Sequence, residues 1–166
     1  FGRSWILSRW ERRAVRLLIV FYAGMATFVL CTAVVVLVLT LPNFGPSQAP
    51  LLIKDALIVW GMNILTFALW YWLIDSGWLE SMGGADTTRP DFLFPQQANA
   101  LPSWGGWLHR FLDYLHLAFN TSTAFSPTDV SPLSHRAKLL MLIQSSISLI
   151  VVAAVLSRAI NILASN

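Results

Sequence analysis

Three long stretches without a charged side chain dominate the hydrophobic pattern of this chain: residues 17–41, 56–74 and 139–157. Crossing the hydrocarbon core of a bilayer takes about 20 apolar residues in a helix. A charged residue at the middle of such a helix costs about 2.5–3.5 kcal/mol on the insertion scale, so charges are expected only at its ends. The pattern therefore predicts an all-α membrane protein with three transmembrane helices.

A basic segment precedes the first of these stretches. Residues 1–16 carry five arginines against one glutamate, with two tryptophans among them. Tryptophan and arginine in one short segment are typical of a helix that lies at the lipid headgroups, so we expect an interfacial N-terminal helix. With the N terminus in the cytoplasm, nine of the eleven basic residues fall on the cytoplasmic side, as the positive-inside rule favours.

Composition supports a membrane location and argues against nucleic-acid binding. Hydrophobic residues make up 56% of the chain and charged residues 11%, whereas soluble domains carry about 25% charged residues. The positive charge is concentrated before the first apolar stretch, where it indicates orientation and contact with anionic lipids rather than a nucleic-acid surface. We divide the chain into a basic segment (1–16), a transmembrane hairpin (17–75), a surface loop (76–106) and a C-terminal part (107–166).

The C-terminal part begins with a short amphipathic pattern. Apolar residues recur at helical spacing from Trp107 to Phe119, and His109, Asp113 and His116 line the other side. Histidine and aspartate at this spacing are weak candidates for a metal site. The alternative is a polar stripe that faces water or another helix, and we expect neither a metal nor another cofactor.

Polar and small residues inside the apolar stretches are candidates for helix packing. Asn63, Gln144 and Ser148 can form hydrogen bonds between helices in the membrane. The small residues Ala23, Gly24 and Thr27 would let another helix approach the first span closely. Because the stretches contain no charged residue, a proton relay is disfavoured, and nothing in the pattern indicates an enzyme.

The block between the amphipathic helix and the last span resembles the pore region of two-helix potassium channels. The residues that fall on the family's positions are Thr121 and Thr123 of the filter, its terminal aspartate Asp129, then Pro132 and Lys138. The same block, together with the WYW ending of the second span and the PDFLFPQ stretch, is similar to a group of bacterial multi-spanning membrane proteins with no established activity. The resemblance implies a re-entrant helix before the last span and a location in the bacterial inner membrane.

This block departs from a potassium filter at its glycine positions. Those positions hold Ser126 and Thr128, and Pro127 between them is fixed near a φ of −65°. A filter that turns successive carbonyls toward the ion needs backbone conformations that glycine adopts cheaply. An alternative interpretation is a helix start, with Ser126 as the N-cap and Asp129 three residues later.

Two functions follow from the sequence. The first is a helical subunit or scaffold that packs with other membrane subunits, or with copies of itself, in a larger assembly. The alternative is a pore-loop ion channel that is not selective for potassium.

Overall fold

The computed structural model describes residues 9–43, 48–75, 90–98, 109–124 and 129–164. The chain is mostly helical, and its only ladder among these residues pairs Phe92 with Pro132 and Leu93 with Ser131. In chain order the elements are α1 (Arg9–Thr40), a 3-10 turn (Leu41–Asn43), α2 (Ala49–Asp75), β1 (Phe92–Leu93), α3 (Pro95–Ala98), α4 (Phe111–Ala124), β2 (Ser131–Pro132) and α5 (His135–Ala164).

Three of these helices are long and apolar enough to cross a membrane, as the sequence predicts. The candidate spans are Leu17–Thr40, Pro50–Asp75 and His135–Ser157. In its most apolar window α2 has 50% of its residues buried within the protein, against 17% for α1 and 22% for α5. Helix α2 is therefore the central element, against which α1, α4 and α5 pack.

The basic segment continues into the first span. Helix α1 begins at Arg9 and runs without a break to Thr40, so the basic residues from Arg9 onward belong to the same helix as the span. Residues 1–8, which belong to the predicted interfacial helix, lie outside the described residues.

Helix α4 is shifted toward the C terminus relative to the predicted range Trp107–Phe119. Its start is fixed by Asp113, whose Oδ2 accepts a hydrogen bond from the Arg110 backbone N–H at 2.6 Å. A side chain at the third helical position that accepts the N–H of the residue just before the helix forms one half of a capping box. At the other end the helix continues through the Thr121–Thr123 stretch to Ala124.

The direction of α4 follows from its contacts at both ends. Tyr114 in its first turn reaches Asp75, the last residue of α2. Ser122 in its last turn reaches Ser148, well inside α5. Helix α4 thus runs antiparallel to α2 and parallel to α5, and it fills the space between them along part of their length.

Candidate functional site

Two groups of polar side chains hold α4 in place, and together they are the candidate site. The first, here called the end cluster, lies at the C-terminal end of α2. The second, here called the mid-span cluster, lies between the middle parts of α2 and α5. The members of the end cluster are Asp75, Asp91, His109, Tyr114 and Arg136, and those of the mid-span cluster are Asn63, Tyr71, Ser122, Gln144 and Ser148.

Asp75 is the centre of the end cluster. Its side chain is only 1% exposed. Its Oδ1 accepts hydrogen bonds from the backbone N–H groups of Asp91 at 2.7 Å and Phe92 at 3.2 Å. Its Oδ2 accepts one from the Tyr114 hydroxyl at 2.6 Å. This carboxylate therefore joins the end of α2 to the start of β1 and to the first turn of α4.

The Tyr114 hydroxyl stays protonated in this environment. Burial raises the pKa of Tyr114, and its hydrogen bond to the Asp75 carboxylate raises the pKa further. A buried phenol that donates to a carboxylate loses both its solvation and its hydrogen bond if it ionises. Tyr114 thus serves as a permanent donor.

Asp91 and Arg136 form the ionic part of the end cluster. Arg136 donates from Nε to Oδ1 and from a terminal nitrogen to Oδ2 of Asp91, each at 2.7 Å. The Asp91 side chain is 2% exposed and that of Arg136 is 36% exposed. This two-pronged geometry is the strong form of an arginine–carboxylate pair. It links the segment before β1 to the first turn of α5.

The three weak metal candidates do not converge. His109 precedes α4, its Nε2 lies 3.7 Å from Asp75 Oδ2, and its ring stacks on Phe94. Asp113 caps α4, and His116 is exposed and contacts Asn120 in the next turn. Across the described ranges there is no group of three histidine, cysteine or acidic side chains with metal-binding geometry.

The mid-span cluster joins α2, α4 and α5. Asn63 Nδ2 donates to Ser148 Oγ at 2.7 Å, and Ser148 Oγ lies 2.7 Å from Ser122 Oγ. All three side chains are almost fully buried. Asn63 Oδ1 has no hydrogen-bond partner within the described part of the chain.

One turn closer to the end cluster, Gln144 makes a second bridge. Its Oε1 accepts a hydrogen bond from the Tyr71 hydroxyl, and its Nε2 donates to the Ala118 carbonyl of α4 at 2.8 Å. A single α5 side chain therefore contacts both α2 and α4. This bridge fixes the register of the three helices against one another.

The small residues of the first span divide between two sides of α1. Ala23 is fully buried, and Thr27 Oγ1 accepts a hydrogen bond from the Trp70 indole at 2.8 Å. Both therefore lie on the side that packs within the chain. Gly24 is exposed, and, apart from its chain neighbours and the backbone of its own helix, no atom lies within 4 Å of the place where a Cβ would stand.

The pore-like block is described only in part. Thr121 is buried and its hydroxyl bonds the Leu117 carbonyl, whereas Thr123 is exposed and bonds the Phe119 carbonyl. Asp129 is exposed, just before β2. Ser126, Pro127 and Thr128 lie outside the described residues.

Sequence reasoning did not single out most of the end cluster. Asp75 and Asp91 are separated by a long loop, and Arg136 is farther still along the chain. The sequence offered one signal for this cluster, namely the charged residues at the ends of the spans. An acidic residue at the end of one span and a basic residue at the start of the next each need an opposite charge or hydrogen bonds when they are buried near a membrane. Comparison of the chain with protein-family models, curated proteins and solved structures finds no match.

Proposed function

We propose that this protein is a non-catalytic helical subunit or scaffold of a membrane assembly, in which α4 is a re-entrant helix. The proposal rests on what the buried polar side chains bind: their partners are groups on the neighbouring helices. Asn63, Gln144 and Ser148 are bonded to α2, α4 or α5 partners. Their hydrogen bonds therefore stabilise the helix packing, and such bonds contribute about 0.6–2 kcal/mol each in membranes.

The depth of α4 supports the re-entrant interpretation. Its first turn contacts Asp75 at the end of one candidate span, and Ser122 contacts Ser148 near the middle of another, His135–Ser157. The eight helical steps from Tyr114 to Ser122 rise about 12 Å, close to half of a hydrocarbon core of about 30 Å. Membranes tolerate such partial helices where neighbouring protein satisfies their polar groups.

The outer surface of the spans favours contact with lipid or with apolar helices. Exposed hydroxyls bond carbonyls of their own helix: Thr32 bonds Phe28, and Ser146 bonds Leu142. A hydroxyl satisfied in this way needs no water. The exposed small residues Gly24 and Ala153 leave room for close approach by another helix.

A native-mass measurement in mild detergent tests the assembly. We expect a mass above that of one chain, from either a homo-oligomer or a complex with other subunits. Ala153→Leu should weaken the association more than the control Val36→Leu, because both positions are exposed and only the first starts from a small residue. A single-chain mass for the wild type under all mild conditions would contradict the proposal.

A pore-loop channel that is not selective for potassium is the second candidate. It is favoured by the direction of α4, whose C-terminal end carries the exposed Thr123 and comes close to the middle of α5. Partial-helix ends at this depth place carbonyl groups where a cation can be coordinated. Purified protein in liposomes would then carry a cation flux that Thr123→Val reduces and Thr32→Val does not. We expect no flux above empty liposomes, and a flux would reverse the ranking.

The proposed orientation places the N terminus in the cytoplasm of a bacterial cell. In a Cys31→Ser background, a cysteine at Ser8 should resist a membrane-impermeant thiol reagent in intact cells, and one at Ser47 should react. The expectation follows from the positive-inside distribution of the basic residues. Reaction at residue 8 with protection at residue 47 would reverse the orientation.

A further inference from the structure

The mid-span cluster lies at about half the depth of the candidate spans. Asn63 is near the middle of Pro50–Asp75, and Ser148 is near the middle of His135–Ser157. Asn63, Ser122 and Ser148 are at most 1% exposed. Lipid tails offer no hydrogen-bond donor or acceptor at this depth. The polar groups of these side chains therefore need partners that are enclosed with them.

The two serine hydroxyls of the cluster share one hydrogen bond. Ser122 Oγ and Ser148 Oγ are 2.7 Å apart, and either can be the donor. The hydroxyls of Thr121 and Ser146 donate to a carbonyl four residues earlier in their own helix, whereas Ser122 and Ser148 are turned toward each other. Each hydroxyl has one hydrogen to donate. One hydrogen lies in the shared bond, and the other has no acceptor among the described residues.

The Asn63 amide leaves an acceptor free in the same cluster. Its Nδ2 donates to Ser148 Oγ at 2.7 Å and to the Gln144 carbonyl at 3.4 Å. Its Oδ1 is buried and has no hydrogen-bond partner within the described ranges. Turning the amide over would bring Oδ1 against the Gln144 carbonyl and leave an N–H group without an acceptor. The cluster therefore holds one spare hydrogen and one spare acceptor.

A water molecule satisfies both groups at once, because it donates and accepts. Buried waters in proteins usually bind two to four polar groups of this kind. A metal or ammonium ion would instead face the spare hydroxyl hydrogen and the N–H groups of Asn63. The residues that flank the cluster on α4 and α5 are small, namely Ala118 and Ser145, so a molecule of this size can be accommodated between the helices.

We propose that the mid-span cluster binds a single water molecule, which links Asn63 Oδ1 to the Ser122–Ser148 pair. The water accepts a hydrogen bond from one serine hydroxyl and donates one to Asn63 Oδ1. It thereby joins α2 to α4 and α5 at the inner end of α4. All three side chains belong to one chain, so the site does not depend on assembly with other subunits.

Solid-state NMR with polarisation transfer from water protons tests the site, on the full chain in lipid bilayers with isotopically labelled asparagine and glutamine. Gln144 is the internal control. It is as buried as Asn63 and lies one turn from Ser148, but both ends of its amide have protein partners, the Tyr71 hydroxyl and the Ala118 carbonyl. We expect the transfer to the Asn63 amide to be several times faster than the transfer to the Gln144 amide.

A substitution gives the second readout, which is the transfer from water to labelled Ser148. Asn63→Leu keeps a side chain of similar shape but removes Oδ1, so this transfer should fall several-fold. The control Thr66→Val, at a buried polar position on the α1 side of the same helix, should leave it unchanged.

Equally slow transfer to Asn63 and Gln144 in the wild type would overturn the proposal, as would undiminished transfer to Ser148 in Asn63→Leu. Equally fast transfer to both amides would also overturn it, in favour of a water-filled path along α4. If Asn63→Leu does not fold, the comparison of Asn63 with Gln144 in the wild type decides.

Discussion

The pair between Arg136 and Asp91 joins the start of α5 to the segment that precedes β1. Both carboxylate oxygens of Asp91 accept a hydrogen bond from Arg136 at 2.7 Å, and the carboxylate is almost fully buried. The Asp91 carbonyl also accepts the Leu133 backbone N–H at 2.8 Å. Replacing Arg136 by glutamine removes the cation and leaves the rest of this connection intact.

The expected cost follows from what remains after the change. Removing one partner of a buried ion pair costs about 3–5 kcal/mol, because the other charge stays buried without compensation. Arg136 is 36% exposed, so water can reach the space it leaves, and we expect a loss of about 2–3 kcal/mol, below the buried range. Lys138→Gln removes a charge from an exposed position in the same helix turn and should change stability by less than about 0.5 kcal/mol.

Reversible unfolding in mixed micelles, followed by tryptophan fluorescence, measures both free energies. The double variant Asp91→Asn with Arg136→Gln should recover more than half of the loss, since it buries no uncompensated charge. Equal stability of Arg136→Gln and Lys138→Gln would refute the conclusion that the Arg136–Asp91 pair is a main stabilising contact of the end cluster. A double variant less stable than Arg136→Gln would show that charge compensation is not the cause.

Three further predictions use the same unfolding assay. Tyr114→Phe keeps the ring but removes the hydrogen-bond donor to Asp75, so it should lower the free energy of unfolding by about 1.5–3 kcal/mol. The control Tyr22→Phe, at an exposed position, should have little effect, and equal effects of the two substitutions would contradict the role of the Tyr114 hydroxyl. The pKa of Tyr114 is raised in the folded protein, so its contribution to the free energy of unfolding is fully present below the unfolded pKa of about 10. That contribution is lost as the pH rises above that value. Between neutral pH and that range, the wild type should therefore lose more stability than Tyr114→Phe. Ser148→Ala should cost about 0.6–2 kcal/mol, and the exposed, back-bonded Ser146→Ala close to none; the reverse order would count against the mid-span cluster.

The three spans could be predicted from the sequence because a single physical requirement defines them. Charged residues are excluded from the hydrocarbon core, so the start of Leu17–Thr40, directly after Arg16, and the end of His135–Ser157, directly before Arg158, can be recognised in the sequence. The polar residues Asn63 and Ser148 were also visible, since amides and hydroxyls in an apolar run need partners. Their residue type and their position inside an apolar stretch were enough to identify them as packing candidates.

The pairing of the helices could not be predicted in the same way. Asp75 and Asp91 are both acidic residues near the end of a span or loop, and the sequence does not distinguish their partners. In the structure Asp75 accepts hydrogen bonds from the Tyr114 phenol and from backbone amides, whereas Asp91 pairs with Arg136. These partners come from distant parts of the chain, and one sequence contains no signal of their proximity. The start of α4 was misplaced for a related reason: the apolar period continues upstream of Phe111, but the cap provided by Asp113 sets the boundary.

The helices differ in how many polar contacts hold them to the rest of the protein. Helix α4 is held at one end by Asp75 and at the other by Ser148, and Gln144 bridges it to α2 between them. Among the side chains that the structure describes, Thr27 of α1 accepts a hydrogen bond from Trp70 of α2, and Leu30 and Leu37 of α1 pack in the apolar core. In a membrane apolar surface packs against lipid nearly as well as against protein, so polar bonds and close fit decide which helices stay together. By this reasoning α2, α4 and α5 form the permanent unit of the protein, and α1 is the helix whose position depends most on what surrounds it.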